Sequence, residues 1–118
     1  MSASMVILVC GGRNFADKRR LTSALDLLCA GTRPKRIIHG GAKGADRLAD
    51  EYARNRGFDV VEYAADWNTY GRSAGVRRNA QMLEEGKPEI AVAFAGGKGT
   101  SDMVRRAVAA GIMVFRIE

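Results

Sequence analysis

An α/β fold built on a parallel sheet is predicted by three observations. Short Val- and Ile-rich runs alternate with helical patterns along the whole chain, these runs are apolar throughout, and a glycine follows every helical pattern. Strands that alternate with helices and are buried on both faces pair in parallel through crossovers. The expected result is one Rossmann-like domain over residues 1–118, with a five-stranded sheet in the order 3-2-1-4-5 and helices on both faces.

The strand-length runs are Met5–Cys10, Arg36–His39, Asp59–Tyr63, Ile90–Phe94 and Met113–Ile117. Four helical stripes lie between them. Leu21, Ala24, Leu25 and Leu28 share the first face, and Ala45, Leu48, Ala49, Tyr52 and Ala53 the second. Val76, Ala80 and Leu83 mark the third, and Thr100, Met103, Val104, Ala107 and Val108 the fourth. Asp17 is the expected N-cap of the first helix, and Gly31, Gly57, Gly86 and Gly111 stand where left-handed caps would fall. Pro34 and Pro88 come just past helix ends. The connection from Ala64 to Gly75 is longer than the fold requires and holds the only tryptophan. Loops of that length in compact domains are often functional.

Composition narrows the function classes. At 118 residues, 47% hydrophobic and 27% charged, the chain reads as an ordinary globular domain too small for a separate catalytic lobe. It holds no apolar run long enough to span a bilayer, so no membrane association is expected. The opening Met1-Ser2-Ala3-Ser4 lacks the basic and apolar regions of a signal peptide, which predicts a cytoplasmic protein. Cys10 and Cys29 sit in apolar patterns and are expected as buried, reduced thiols. With one histidine and no Cys/His cluster, no metal site is expected, and magnesium would enter only with a ligand's phosphates. The formal charge of +6 favours acidic partners such as nucleotides or nucleic acid.

The residues most suited to such a partner follow the strands. Gly40-Gly41-Ala42-Lys43-Gly44-Ala45-Asp46 and Gly96-Gly97-Lys98-Gly99-Thr100 are strand-to-helix turns that present unpaired N–H groups and a positive helix end. Two cradles predict one phosphate-bearing ligand gripped from two sides. Asp46 suits the helix start, a ribose hydroxyl or the loop's own shape, and it is also a candidate catalytic carboxylate. Lys43 is expected to face solvent at the rim, and His39 to pack at its strand end rather than act as a base. Thr100 is suited both to cap its helix and to donate to a phosphate. After the first strand, Gly11 and Gly12 allow close backbone approach and Arg13 can fork onto a phosphate. In the third helix, Arg77, Arg78 and Asn79 suit an anion or a base edge, with Arg77 a second catalytic candidate. Trp67 suits base stacking or a core or lid anchor.

Taken together these motifs carry a resemblance. Gly-Gly-Arg-x-Phe, His-Gly-Gly-Ala-x-Gly-Ala-Asp, Asp-Trp-x-x-Tyr-Gly-x-x-Ala-Gly-x-x-Arg-Asn and Gly-Gly-x-Gly-Thr occur in that order between Met5 and Ile117. The chain resembles the YspA, cpYpsA-related family of the SLOG superfamily. The resemblance implies a Rossmann-like fold that binds nucleotides or nucleotide-derived ligands, as sensor or processing enzyme. It implies a pocket built from Gly11–Arg13, Gly40–Asp46, Arg77–Asn79 and Gly96–Thr100. Two relatives differ in chemistry. The Lonely Guy phosphoribohydrolases cleave nucleoside monophosphates through Pro-Gly-Gly-x-Gly-Thr-x-x-Glu. Here the proline is Ala95 and the glutamate Met103, and a thioether cannot stabilise an oxocarbenium-like state. Asp102 lies one position off, about 100° around a helix. DNA-processing protein A binds single-stranded DNA, and its Ser-Gly-x-Ala-x-Gly-Ile-Asp is similar to His39–Asp46.

The expectation is therefore a nucleotide-binding module, with the amides after Gly40 and Gly96 holding the phosphate and Arg13 and Arg77 neutralising it. The alternatives are an N-glycosidase acting on nucleoside monophosphates and a single-strand nucleic-acid binder. Apolar helix surface left uncovered by the sheet would predict a homodimer.

Overall fold

Ile7 and Val9 turn to one side of the first strand, and Val6, Leu8 and Cys10 to the other. A strand buried on both faces belongs at the centre of a covered sheet. The computed structural model describes residues 5–117, so the opening segment 1–4, read above for a leader, lies outside the described residues. In chain order the elements are β1 (Val6–Cys10), α1 (Lys18–Cys29), β2 (Arg36–His39), α2 (Ala45–Asn55), β3 (Val60–Glu62), α3 (Trp67–Tyr70), α4 (Ala74–Gly86), β4 (Ile90–Phe94), α5 (Lys98–Ala109) and β5 (Met113–Ile117). A 3₁₀ turn, Gly71–Ser73, joins α3 to α4.

The sheet is parallel throughout and ordered β3-β2-β1-β4-β5. Leu8 pairs with Ile38 on one side and Ala91 on the other, and Val92 pairs with Phe115. Helices α1 and α2 close one core, where Leu21, Leu25, Ala49 and Ala53 meet Ile7, Val9, Ile37, Val92 and Phe94. Helices α4 and α5 close the other through Met82, Met103 and Ala107 against Leu8, Ile38 and Ala93. Burying a side chain of this size stabilises by roughly 1.5–3 kcal/mol, so these two layers hold the domain together. Met103 is therefore a core residue. No described helix is long and apolar enough to cross a membrane.

The helix ends correct part of the sequence reading. Asp17 caps α1 through a bond from the Arg20 amide, and Gly57 and Gly111 adopt the left-handed conformation expected of them. Gly31 does not, and Gly86 is the last residue of α4, with Lys87 taking the left-handed position. Gly86 has a packing reason instead: a Cβ there would stand 2.5 Å from Ile38 Cδ1, so its hydrogen lets α4 lie close on the sheet. The long connection after β3 is mostly ordered as α3 and the 3₁₀ turn, with Asp66 capping α3 through the Thr69 amide.

Candidate functional site

All the connections that carry the sequence motifs leave the carboxyl ends of the strands. In a doubly wound sheet, this edge opens into a crevice where the strand order reverses. The reversal here lies between β1, β2 and β4. Gly12 ties the three loops together: its N–H donates to Ala95 O at 2.8 Å, and its carbonyl accepts from Phe15 N at 3.2 Å and Ala45 N at 3.3 Å. Such closeness needs glycine. A Cβ on Gly12 would come 2.9 Å from Ala95 O, and one on Gly96 would come 2.6 Å from Gly12 N.

Between these loops lies a cleft of about 1090 Å³. It is lined by Gly11, Gly12 and Arg13 after β1, by Gly40, Gly41, Lys43 and Asp46 after β2, by Trp67 of α3, by Arg78 and Asn79 of α4, and by Gly96–Thr100 after β4. The sequence reading missed Asp17 and Arg47 as site residues, and both also line it. Arg47 carried a signal, since it follows Asp46 in the first turn of α2. The wall thus holds the cations Arg13, Lys43, Arg47, Arg78 and Lys98 against the carboxylates Asp17 and Asp46.

Three candidates fall outside that wall. Ala45 is fully buried, and a Cβ on Gly11 would meet its Cβ at 2.6 Å, so it supports the turn from beneath. Gly44 adopts φ +82 as the N-cap of α2 and presses on the backbone of Gly12 and Arg13. Arg77 points to a smaller neighbouring hollow, its guanidinium 4.3 Å over the Tyr70 ring and its Nε bonded to Ser73 Oγ at 3.0 Å.

The two glycine-rich turns differ in what they leave open. After β2, the Asp46 carboxylate accepts from Gly40 N at 3.1 Å and Ala42 N at 3.2 Å, and Gly41 N donates to His39 Nδ1 at 2.9 Å. The amides of Gly40, Gly41 and Ala42 are thus already used, two by an internal carboxylate and one by His39. Through its Oδ2, Asp46 thus shapes its own loop. Burial raises the Asp46 pKa, against the opposing effects of the Ala42 and Gly40 amides and of His39 and Arg78.

The turn after β4 is different. Gly97 is the N-cap of α5 and has no side chain to cap it, and the first helical bond runs from Ser101 N to Gly97 O at 3.0 Å. The amides of Lys98, Gly99 and Thr100 are left without a helical partner, as the start of any helix requires. Thr100 is consequently the third helical residue rather than the cap, and its side chain lies against Gly96.

Arg78 and Asn79 brace this arrangement from α4. The Arg78 guanidinium donates from Nη1 to Gly40 O at 2.5 Å and from Nε to Asn79 Oδ1 at 3.1 Å. Its remaining N–H groups have no further hydrogen bond among the described residues. Gly40 must be glycine for this, because a Cβ would come within 2.6 Å of Arg78 Cζ. Asn79 is buried and spends its Nδ2 on Gly99 O at 3.1 Å and Asp102 Oδ2 at 3.0 Å. It positions the α5 turn. Asp102 is held in turn by Arg105 and Arg106 at 2.6 and 2.8 Å. Burial works against its ionisation, but the bonds from Asn79 and Arg106 outweigh it and hold the pKa below the ordinary value.

The other reactive groups nearby are bound up in structure. Cys10 lies in the cleft floor, where burial, aided by the Asp46 charge, pushes its thiol up to about 12 and disfavours a thiolate. His39 is 1% exposed. Because its Nδ1 accepts from Gly41, its proton sits on Nε2 and faces Asp50 Oδ2 at 2.7 Å. His39, Asp50 and Glu62 form a group with metal-ligand spacing. A metal on Nε2 would have to displace that proton and compete with Arg54, which holds the other Asp50 oxygen at 2.5 Å.

The comparisons with known proteins agree with this architecture. A model of the YspA, cpYpsA-related SLOG family matches residues 5–70. The gene 61 protein of Mycobacterium phage D29 is 38% identical over 117 residues, covering 92% of this chain and 93% of that protein. Among solved structures, DNA processing protein A from Streptococcus pneumoniae superposes with a TM-score of 0.76 at 17% identity. That match covers 98% of this chain and 50% of the other, so this chain spans half its length and shares its fold. The chain belongs to the YspA, cpYpsA-related SLOG family.

Proposed function

We infer that the cleft binds a nucleotide or nucleotide-derived ligand through its phosphate, as a binding or sensing domain. The observation that carries this reading is the open start of α5. Lys98, Gly99 and Thr100, whose amides have no helical partner, line a cleft whose wall holds Arg13, Lys43, Arg47 and Arg78. A helix start with unpaired N–H groups and nearby guanidinium groups is a phosphate site by its chemistry. The phosphate sits on the α5 turn, Arg78 and Arg13 neutralise it, and the sugar and base extend toward Trp67, which is 59% exposed.

The carboxylates favour binding over glycosidic cleavage. Hydrolysis through an oxocarbenium-like state calls for a carboxylate aimed at the sugar. Here Asp46 holds two loop amides on its Oδ2, which fixes its orientation, and Asp17 is turned to the start of α1. Met103 is buried in the core, and Asp102 faces Asn79 and two arginines. The same reading has the protein act in the cytoplasm, with Cys10 and Cys29 as free thiols. It keeps the homodimer expectation, supported by Met113 and Phe115 left exposed on the edge strand β5 and testable by light scattering.

The test is thermal unfolding with the 5′-nucleoside monophosphates, followed by analysis for released base. A bound nucleotide at a hundredfold excess over its Kd adds about 2.7 kcal/mol of stability. Stabilisation without turnover is the expected outcome. Release of free base by the wild type would move the protein to the hydrolases, and no stabilisation by any monophosphate would remove the reading.

A further inference from the structure

The smaller hollow beside the cleft is not used by the function inferred above. It holds about 190 Å³ and is bordered by Ala64, Asp66, Tyr70, Arg77, Arg78 and Gln81. Ala64 and Arg78 border the main cleft as well, so the two spaces adjoin across the Arg78 guanidinium. Its far wall is organised by the protein itself. Ser73 Oγ donates to Tyr70 O at 3.0 Å and accepts from Arg77 Nε at 3.0 Å, which lays the guanidinium over the Tyr70 ring at 4.3 Å. The Asp66 carboxylate is turned to the Thr69 amide at 3.1 Å.

We propose that this hollow is a second subsite, taking the base of a nucleotide unit joined to the one in the main cleft. The proposal rests on the reading of the main cleft, and it states that the ligand carries two nucleotide units. Three observations support it. A guanidinium stacked on an aromatic ring is a flat cationic platform, the surface on which an unpaired base stacks. Arg78 stands between the two spaces with N–H groups that its bonds to Gly40 and Asn79 do not use, which suits the phosphate linking two units. Trp67 on the cleft side and Tyr70 on the hollow side are three residues apart on one helical turn and both exposed, so they flank that position.

Two sources share this chemistry: a free dinucleotide, and two consecutive units of a single strand. Calorimetry on the full chain separates them. The probes are the 5′-nucleoside monophosphates, the matching 5′-phosphorylated dinucleotides, and single strands of about a dozen nucleotides. The expected result is a dinucleotide that binds roughly tenfold tighter than its monophosphate, the gain of one stacked base. Tyr70→Ala combined with Arg77→Ala abolishes that gain and leaves monophosphate affinity at the wild-type value. Affinity that stops rising at two units assigns the free dinucleotide, and affinity that keeps rising with length assigns the strand. A monophosphate and a dinucleotide of equal affinity on the wild type would overturn the second subsite and leave the main cleft standing. Failure of every monophosphate to bind would overturn both.

Discussion

Replacing Asp46 tests whether this carboxylate is the internal anion of the β2 turn. It accepts two backbone bonds, from the buried Gly40 amide and the half-buried Ala42 amide. Asp46→Ala leaves both donors without a partner. An unpaired buried donor costs roughly 1–3 kcal/mol, while a donor that water can reach costs little. The same change relieves the burial of a carboxylate whose pKa is raised, which offsets part of the loss. The expected net is about 2 kcal/mol of lost stability. For a domain of this size, that lowers the melting temperature by roughly 8 °C. Asp46→Asn retains an oxygen acceptor and should lose less than about 1 kcal/mol. The pH dependence has a definite sign. Because the folded pKa is raised, the proton on Asp46 contributes stability that is full below the ordinary value of 3.8 and is lost as pH rises through the raised value. The asparagine variant escapes that loss, so it gains on the wild type as pH increases. Formate added to the alanine variant should restore part of its stability and do nothing for the asparagine variant. Thermal melts followed by circular dichroism across this range measure all of this. An alanine variant as stable as the wild type, or an asparagine variant as damaged as the alanine one, would refute the reasoning.

Three further outcomes follow from neighbouring contacts. Gly96→Ala drives a Cβ toward Gly12 N and the Thr100 side chain and should cost about 1–3 kcal/mol, whereas Gly97→Ala meets nothing within 4 Å and should cost only the roughly 0.5–1 kcal/mol that alanine costs at an N-cap. Asn79→Ala strands Gly99 O, Asp102 and Arg78 Nε together, and urea unfolding should register a loss of about 2–3 kcal/mol. Acid should unfold the protein in part through Asp50 and Asp102. At Asp50, burial is outweighed by hydrogen bonds from Arg54 and His39, so its folded pKa, like that of Asp102, is lowered. Their stability is present above the ordinary 3.8 and lost as pH falls through the lowered values, and Asp102→Asn should flatten that part of an acid titration.

The sheet order and the limits of β2, β4 and β5 were legible because β-branched runs that alternate with helices permit few arrangements. What escaped the reading was set by contacts between distant segments. Gly86 looks like a cap in sequence, yet its reason is Ile38, nearly fifty positions away. The β2 and β4 turns look alike as strings of glycine. Only the fold shows that Asp46 bends back onto one of them, while Asp102 is drawn away from the other by Asn79. Arg77 and Arg78 are adjacent in the same basic pair, and successive helical positions diverge by about 100°. One therefore borders the cleft and the other stacks on Tyr70. Periodicity places a residue on a face but does not choose its partner.

Because the Gly12 peptide units clasp Ala95, Phe15 and Ala45 at once, the rim of the cleft is a single rigid arch. A guest that nudges any one strap must carry the others with it. The far bank is built differently, with Trp67 standing on a helix of only four residues.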